Sequence, residues 1–128
     1  MENKSFEVEI TTKLTVTQED IDDIVCTALE GGINYWCRKA KVVGEYLGEY
    51  ASEQISRGGK LELYDSEEDE VYELTLDKLL NGIKTAYTDG YYSNYEWCDG
   101  KTIDTCQVDA EVADVIIQLA LFNEIIYG

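Results

Sequence analysis

Residues 60–87 read KLELYDSEEDEVYELTLDKLLNGIKTAY, and the change of pattern along this stretch decides the fold class. Residues 60–65 and 71–76 each alternate apolar and polar side chains, the period of a strand with one buried face. Between them Ser66-Glu67-Glu68-Asp69-Glu70 is short and polar, so the two segments are predicted to pair as an antiparallel hairpin. The period then changes. Leu76, Leu79, Leu80, Ile83 and Tyr87 recur at helical spacing, Thr75 stands where a cap is needed, and Asp89-Gly90 stops the run. A hairpin leading directly into an amphipathic helix points to an α+β arrangement.

Toward the N-terminus, Phe6, Val8, Ile10, Leu14 and Val16 share one parity, which predicts a further half-buried antiparallel strand. Thr17 stands three residues before Asp20 as a capping signature, and Ile21, Ile24, Val25, Ala28 and Leu29 form a helical face that runs to Gly31-Gly32. Residues 33–40 (INYWCRKA) are expected to resume a short helix, and residues 45–57 to hold one or two helical turns before Gly58-Gly59. Beyond Tyr87 lies a connection of about twenty residues, far longer than the usual ~4–6 and of a kind that is commonly functional. Asp109 opens a last helix with Val112, Ala113, Ile116, Ile117, Ala120 and Leu121 on a wide apolar face, and residues 124–127 are expected to close as a strand. The expectation is one acidic globular domain over residues 1–128, α+β, with a small mostly antiparallel sheet of about four strands packed with about three helices. A homodimer is left open.

The chain carries 27 Asp and Glu against 10 Lys and Arg, a net charge of −17, yet is 45% hydrophobic. That apolar content suits a folded core rather than a disordered acidic tail. The charge is uneven: residues 1–61 hold 11 acids and 7 bases, while residues 62–128 hold 16 acids and 3 bases. There is no histidine, which excludes Ser-His and Cys-His nucleophile systems within the chain. Direct binding to nucleic acid needs cations to replace counterions, so the acidity argues against it and for a positively charged partner. The N-terminus lacks the apolar core of a signal peptide and no stretch approaches a membrane span, so a cytoplasmic protein is expected, with no membrane contact. Cys26, Cys37, Cys98 and Cys106 form no C-x-x-C pair and are read as reduced thiols, with Cys98 and Cys106 flanking a polar loop where oxidation could bridge them. No cofactor and no metal site is expected.

Two sets of residues stand out as candidate sites. The first is a partner-binding surface made by Asp65, Glu67, Glu68, Asp69, Glu70 and Glu73 of the hairpin with Asp89, Glu96 and Asp99 of the long loop, interleaved with Tyr91, Tyr92, Tyr95 and Trp97. Closely spaced carboxylates approximate a phosphate backbone and can fill a basic groove, and Tyr and Trp anchor interfaces. The second is Gly31, Gly32, Asn34, Tyr35, Trp36 and Arg38, where backbone amides freed at a helix break, rings for stacking and a cation could hold a nucleotide. The competing reading is a kinked helix that buries Tyr35 and Trp36. Catalysis would have to rest on carboxylates alone, such as Asp20, Asp22, Asp23 and Glu30 or Asp109, Glu111 and Asp114, and none has calcium-loop spacing, so an enzyme is not expected.

The segment Glu30-Gly31-Gly32-Ile33-Asn34-Tyr35-Trp36 and the ending DAEVADVIIQLALFNEIIYG, residues 109–128, resemble a family of small uncharacterised bacteriophage and prophage proteins with an E-G-G-x-N-Y-W segment and an A-L-F-G-E-x-x-Y-G-like C-terminus. This chain has Asn123 where that ending carries glycine. The resemblance implies a phage protein acting in the cytoplasm of a bacterial host, and it makes counter-defence a natural role. On this reading an acidic, DNA-mimicking inhibitor of the anti-CRISPR or anti-restriction type blocks a host protein through its basic nucleic-acid-binding surface. The alternatives are a sponge that sequesters a nucleotide immune signal through residues 31–38, and a phage structural or regulatory module that acts by protein–protein interaction.

Overall fold

A three-stranded antiparallel sheet and three α-helices form an α+β fold in the described residues, 3–11, 13–67, 69–89 and 96–128 of a computed structural model. Helix α1 (Gln18–Thr27) opens with the reciprocal cap expected from the sequence: Asp20 N donates to Thr17 Oγ1 and Thr17 N donates to Asp20 Oδ2, both at 3.0 Å. It continues into one wide π turn, Ala28–Gly32. Gly32 lies so close to the last helix that a Cβ there would sit 2.7 Å from the Ala110 carbonyl oxygen.

The chain then turns and enters β1 (Cys37–Val42), so residues 33–40 do not resume a helix. The alternation that would have announced this strand is broken by a register shift between Cys37 and Lys39, which leaves Arg38 and Lys39 both exposed. Of the helical turns expected over residues 45–57, Ala51–Glu53 forms one short 3₁₀ turn, with Glu53 Oε1 accepting from the backbone of Glu49 and Tyr50.

The predicted hairpin is present as β2 (Leu61–Asp65) and β3 (Val71–Leu74), with Leu61 opposite Leu74 and Leu63 opposite Tyr72. β2 is central and pairs with β1 on its other side. Helix α2 (Leu76–Thr88) is capped by Thr75 and helix α3 (Ala110–Phe122) by Asp109, whose Oδ1 accepts from Val112 N at 2.9 Å. Residues 112–120 of α3 are buried without interruption, so it is a core helix rather than an amphipathic one. α2 approaches it closely enough that a Cβ on Gly82 would lie 2.5 Å from the Ile116 carbonyl oxygen. α3 ends at Asn123 with φ 58°, a left-handed cap that asparagine tolerates better than most side chains.

Two expected strands do not form and one unexpected strand, β1, does, which gives three strands among the described residues rather than about four. Residues 3–11 form no strand and pair with none of the three described strands, and Phe6, Val8 and Ile10 are 86%, 80% and 80% exposed. Only Leu14 and Val16 of that parity reach the core, where Thr15 N donates to Lys101 O at 2.8 Å. Residues 124–127 fail as a strand because a side chain takes their donors: Gln118 Oε1 accepts from both Ile126 N and Tyr127 N at 2.9 Å. No helix among the described residues is long and apolar enough to cross a membrane. All four cysteines are free thiols, Cys98 buried and Cys106 exposed.

Candidate functional site

The glycine pair, the end of β2, the core helix and the last residues of the chain meet in one polar and aromatic cluster. Asp114 and Gln118 stand one turn apart on α3, both buried in an otherwise apolar environment. Asp114 Oδ1 accepts from Trp36 Nε1 at 2.8 Å and from Gln118 Nε2 at 2.9 Å, and Asp114 Oδ2 accepts from Tyr35 OH at 2.5 Å. Gln118 Nε2 also lies 3.2 Å from the Tyr127 carbonyl oxygen. Trp36 stacks flat on Tyr127, with ring centroids 4.7 Å apart and planes 1° from parallel, while Phe122 and Tyr72 meet Trp36 edge-on. The Tyr127 hydroxyl donates to Asp65 Oδ2 and lies 2.8 Å from Tyr72 OH. Burial, with the hydrogen bonds to Asp65 and Tyr72, holds the Tyr127 hydroxyl well above the usual tyrosine range, so it remains a neutral donor.

This arrangement decides the second candidate site. Trp36 is 2% exposed and has its ring and its N–H both engaged, so the burying reading holds for it and it offers no face to a base. Gly32 is buried against α3, which explains the glycine without a ligand. Gly31 is exposed, and Tyr35 is 55% exposed although its hydroxyl reaches Asp114. Asn34 and Arg38 line a different hollow, about 410 Å³, with Leu29, Ile33, Cys37 and Lys39. Tyr35 and Trp36 line a cleft of about 300 Å³ with Asp65, Glu67 and Tyr127. Four of the six residues are thus divided between two concavities, and the two glycines line neither.

The acidic surface is built from the hairpin. Glu67, Asp69, Glu70 and Glu73 are exposed, and Glu73 lies 3.6 Å from Lys60. Glu67, Asp69 and Glu70 form no ion pair with a described residue. Asp65 is corrected from a surface carboxylate to an internal one: it is 4% exposed, accepts from Glu67 N at 2.7 Å through Oδ1, and binds Tyr127 through Oδ2. The sheet-end position that seemed to extend the acidic patch instead anchors the start of the hairpin turn. Asp89, Glu96 and Asp99 are exposed. Hydrogen bonds from Thr102 N and Lys101 N hold the Asp99 carboxyl below the usual range.

Trp97 is likewise corrected from interface anchor to core residue, being 1% exposed. Its indole N–H has no hydrogen-bond partner among the described residues. Glu68, Tyr91, Tyr92 and Tyr95 lie outside the described residues. Cys37 borders the basic hollow, and burial pushes its thiol above the ordinary range. Among the described residues no group of three or more Cys, Asp or Glu side chains is arranged to hold a metal ion.

Sequence reasoning considered Asp114 only as a carboxylate among others and passed over Gln118, Tyr72 and Tyr127. The available signal was the pair Asp114 and Gln118, two polar residues at i and i+4 inside an apolar helix, which burial forces to find partners. No protein-family model, curated protein or solved structure matches the chain.

Proposed function

We propose that this chain is a phage counter-defence binding protein whose acidic hairpin occupies the basic, nucleic-acid-binding surface of a host effector. The observation that carries the reading is the exposure of Glu67, Asp69 and Glu70 on the hairpin turn beside Glu73 on β3, with the base of the turn fixed by β2–β3 pairing and by the Asp65 carboxylate. Carboxylates held on a rigid frame bind a cationic groove without first losing the freedom of a loose acidic segment. They also steer association with a basic partner and disfavour nucleic acid itself. The resemblance to phage and prophage proteins supports the biological setting. Nucleotide capture by residues 31–38 is the weaker reading, because Trp36 is committed to Asp114 and Tyr127.

The test is capture of partners from infected host cells by the tagged protein, alongside a variant with Glu67, Glu68, Asp69 and Glu70 reversed to lysine. The expected partner has a nucleic-acid-binding groove, loses affinity for the chain as salt rises, and is released by its own nucleic acid. Reversal of the four charges should weaken binding at least tenfold. A partner bound equally well by the reversed variant, or at high salt, would sink the mimic reading.

A further inference from the structure

Residues 3–11 form an arm outside any helix or strand, with Phe6, Val8 and Ile10 on one parity of the sequence and Glu7 and Glu9 on the other. The three apolar side chains are at least 80% exposed. A segment that alternates in this way has one face to bury when it adopts a strand, and it pairs with no described strand of its own chain. The arm's root is fixed, with Leu14 and Val16 packed on the core and Thr15 bonded to Lys101.

The edge strands of the sheet are β1 and β3, and they differ in charge. β1 carries Arg38, Lys39 and Lys41, all exposed, whereas β3 carries Glu73 next to the acidic hairpin turn. Glu7 and Glu9 therefore favour β1 and are repelled at β3. Parity agrees with charge. Lys39 and Lys41 lie opposite Tyr64 and Glu62, which are directed away from the core, while Ala40 and Val42 lie opposite the buried Leu63 and Leu61. A strand added to β1 with its glutamates beside those lysines turns Phe6, Val8 and Ile10 to the other face, that of Ala40 and Val42. Lysines on an edge strand also oppose pairing of β1 with a second β1, leaving an acidic strand as the better occupant.

We infer that the chain forms a two-fold dimer by arm exchange, with residues 6–10 of each copy added as an outer strand to β1 of the other. A second copy is the occupant because the arm makes no such contact within its own chain, and because each copy supplies both halves of the contact. Reciprocal exchange closes the assembly and leaves no arm exposed. The inference is independent of the functional reading above.

The test is sedimentation equilibrium of the full chain across a range of concentrations, with amide hydrogen exchange on the same samples. Wild type is expected at the mass of two chains, with residues 6–10 and β1 protected from exchange. The variant Phe6→Ser, Val8→Ser, Ile10→Ser changes only exposed side chains and should sediment as one folded chain. Lys39→Glu with Lys41→Glu should also weaken the dimer, and adding Glu7→Lys with Glu9→Lys to that variant should restore it. A wild type of single-chain mass at every concentration overturns the inference. So does a dimer that survives the triple serine variant, or a monomer whose residues 6–10 are protected by its own β1.

Discussion

Replacing Asp114 by alanine should remove the hub that joins the glycine-pair segment to the core helix. The carboxylate accepts three hydrogen bonds, from Trp36 Nε1, Gln118 Nε2 and Tyr35 OH. Their fates differ when it is deleted. The Tyr35 hydroxyl belongs to a half-exposed residue and can turn to water at little cost. The Gln118 amide keeps the Tyr127 carbonyl and the Tyr35 hydroxyl, both 3.2 Å away. The Trp36 indole N–H is the group at risk, since its residue is 2% exposed and Asp114 is the acceptor it uses.

A buried donor left without a partner costs about 1–3 kcal/mol, and the lost packing of the side chain adds to that, so Asp114→Ala should destabilise by about 2–4 kcal/mol. For a chain of this size that is a fall in Tm of roughly 8–15 °C. Asp114→Asn retains one acceptor for Trp36 and presents its amide to the Tyr35 oxygen, so it should cost about 1 kcal/mol. Glu111→Ala, exposed in the first turn of the same helix, should stay within about 0.5 kcal/mol of wild type. Urea denaturation followed by tryptophan fluorescence and near-UV circular dichroism measures all three. An alanine variant within about 0.5 kcal/mol of wild type would refute the reasoning, because the Trp36 donor would then have found another partner at no cost.

Two further outcomes follow from the same packing. Burial raises the thiols of Cys37, Cys98 and Cys26 above their ordinary 9.0 and, with its hydrogen bonds, raises the Tyr127 hydroxyl above its ordinary 10.0. The folded state therefore keeps these protons after the unfolded chain has lost them, so stability is fully present below about pH 9, falls as pH rises beyond that, and falls more steeply above about pH 10; a urea midpoint that stays level to about pH 11 would contradict this. Gly82→Ala gains about 1 kcal/mol in intrinsic helix propensity but places its methyl 2.5 Å from the Ile116 oxygen and 2.8 Å from Ala120 N, so a net loss of about 1–2 kcal/mol is expected in thermal unfolding. A more stable alanine variant would show that α2 and α3 can separate without penalty.

What was legible in the sequence was what a single segment decides for itself. The hairpin, α2 and α3 each carry their own period and cap within one window, and the Thr17–Asp20 cap is local as well. The errors fall where a distant partner decides. Residues 33–40 have helix-compatible composition, but β2 recruits residues 37–42 as an edge strand and the register shift hides the alternation. Residues 6–10 have the alternation of a strand and pair with no strand among the described residues. Residues 124–127 surrender two backbone donors to Gln118, a side chain one helix away. The candidate site divides on the same principle. Exposure of Glu67, Asp69, Glu70 and Glu73 follows from local polarity, whereas burial of Asp65 and Trp97 depends on what packs above them, including a tyrosine 62 residues further along the chain for Asp65.

The segments 30–36 and 109–128 bear on this division. Of the positions in E-G-G-x-N-Y-W, Gly32 packs on Ala110, and Tyr35 and Trp36 bond to Asp114. In the C-terminal segment, Asp114, Gln118, Phe122 and Tyr127 complete the same cluster, and Asn123 ends α3 in the left-handed conformation. Motifs of this kind specify how the two ends of the chain are joined. They therefore hold the scaffold together and say little about a target, because their side chains are largely engaged with one another. On the proposed binding function, target choice lies in side chains that the cluster leaves outside it. The hairpin carboxylates meet that condition, with their frame held by Asp65 from below, and so does the arm with Phe6, Val8 and Ile10. A change in the cluster should then weaken binding only as far as it weakens folding, whereas a change in the hairpin should alter binding in a protein whose stability is unmoved.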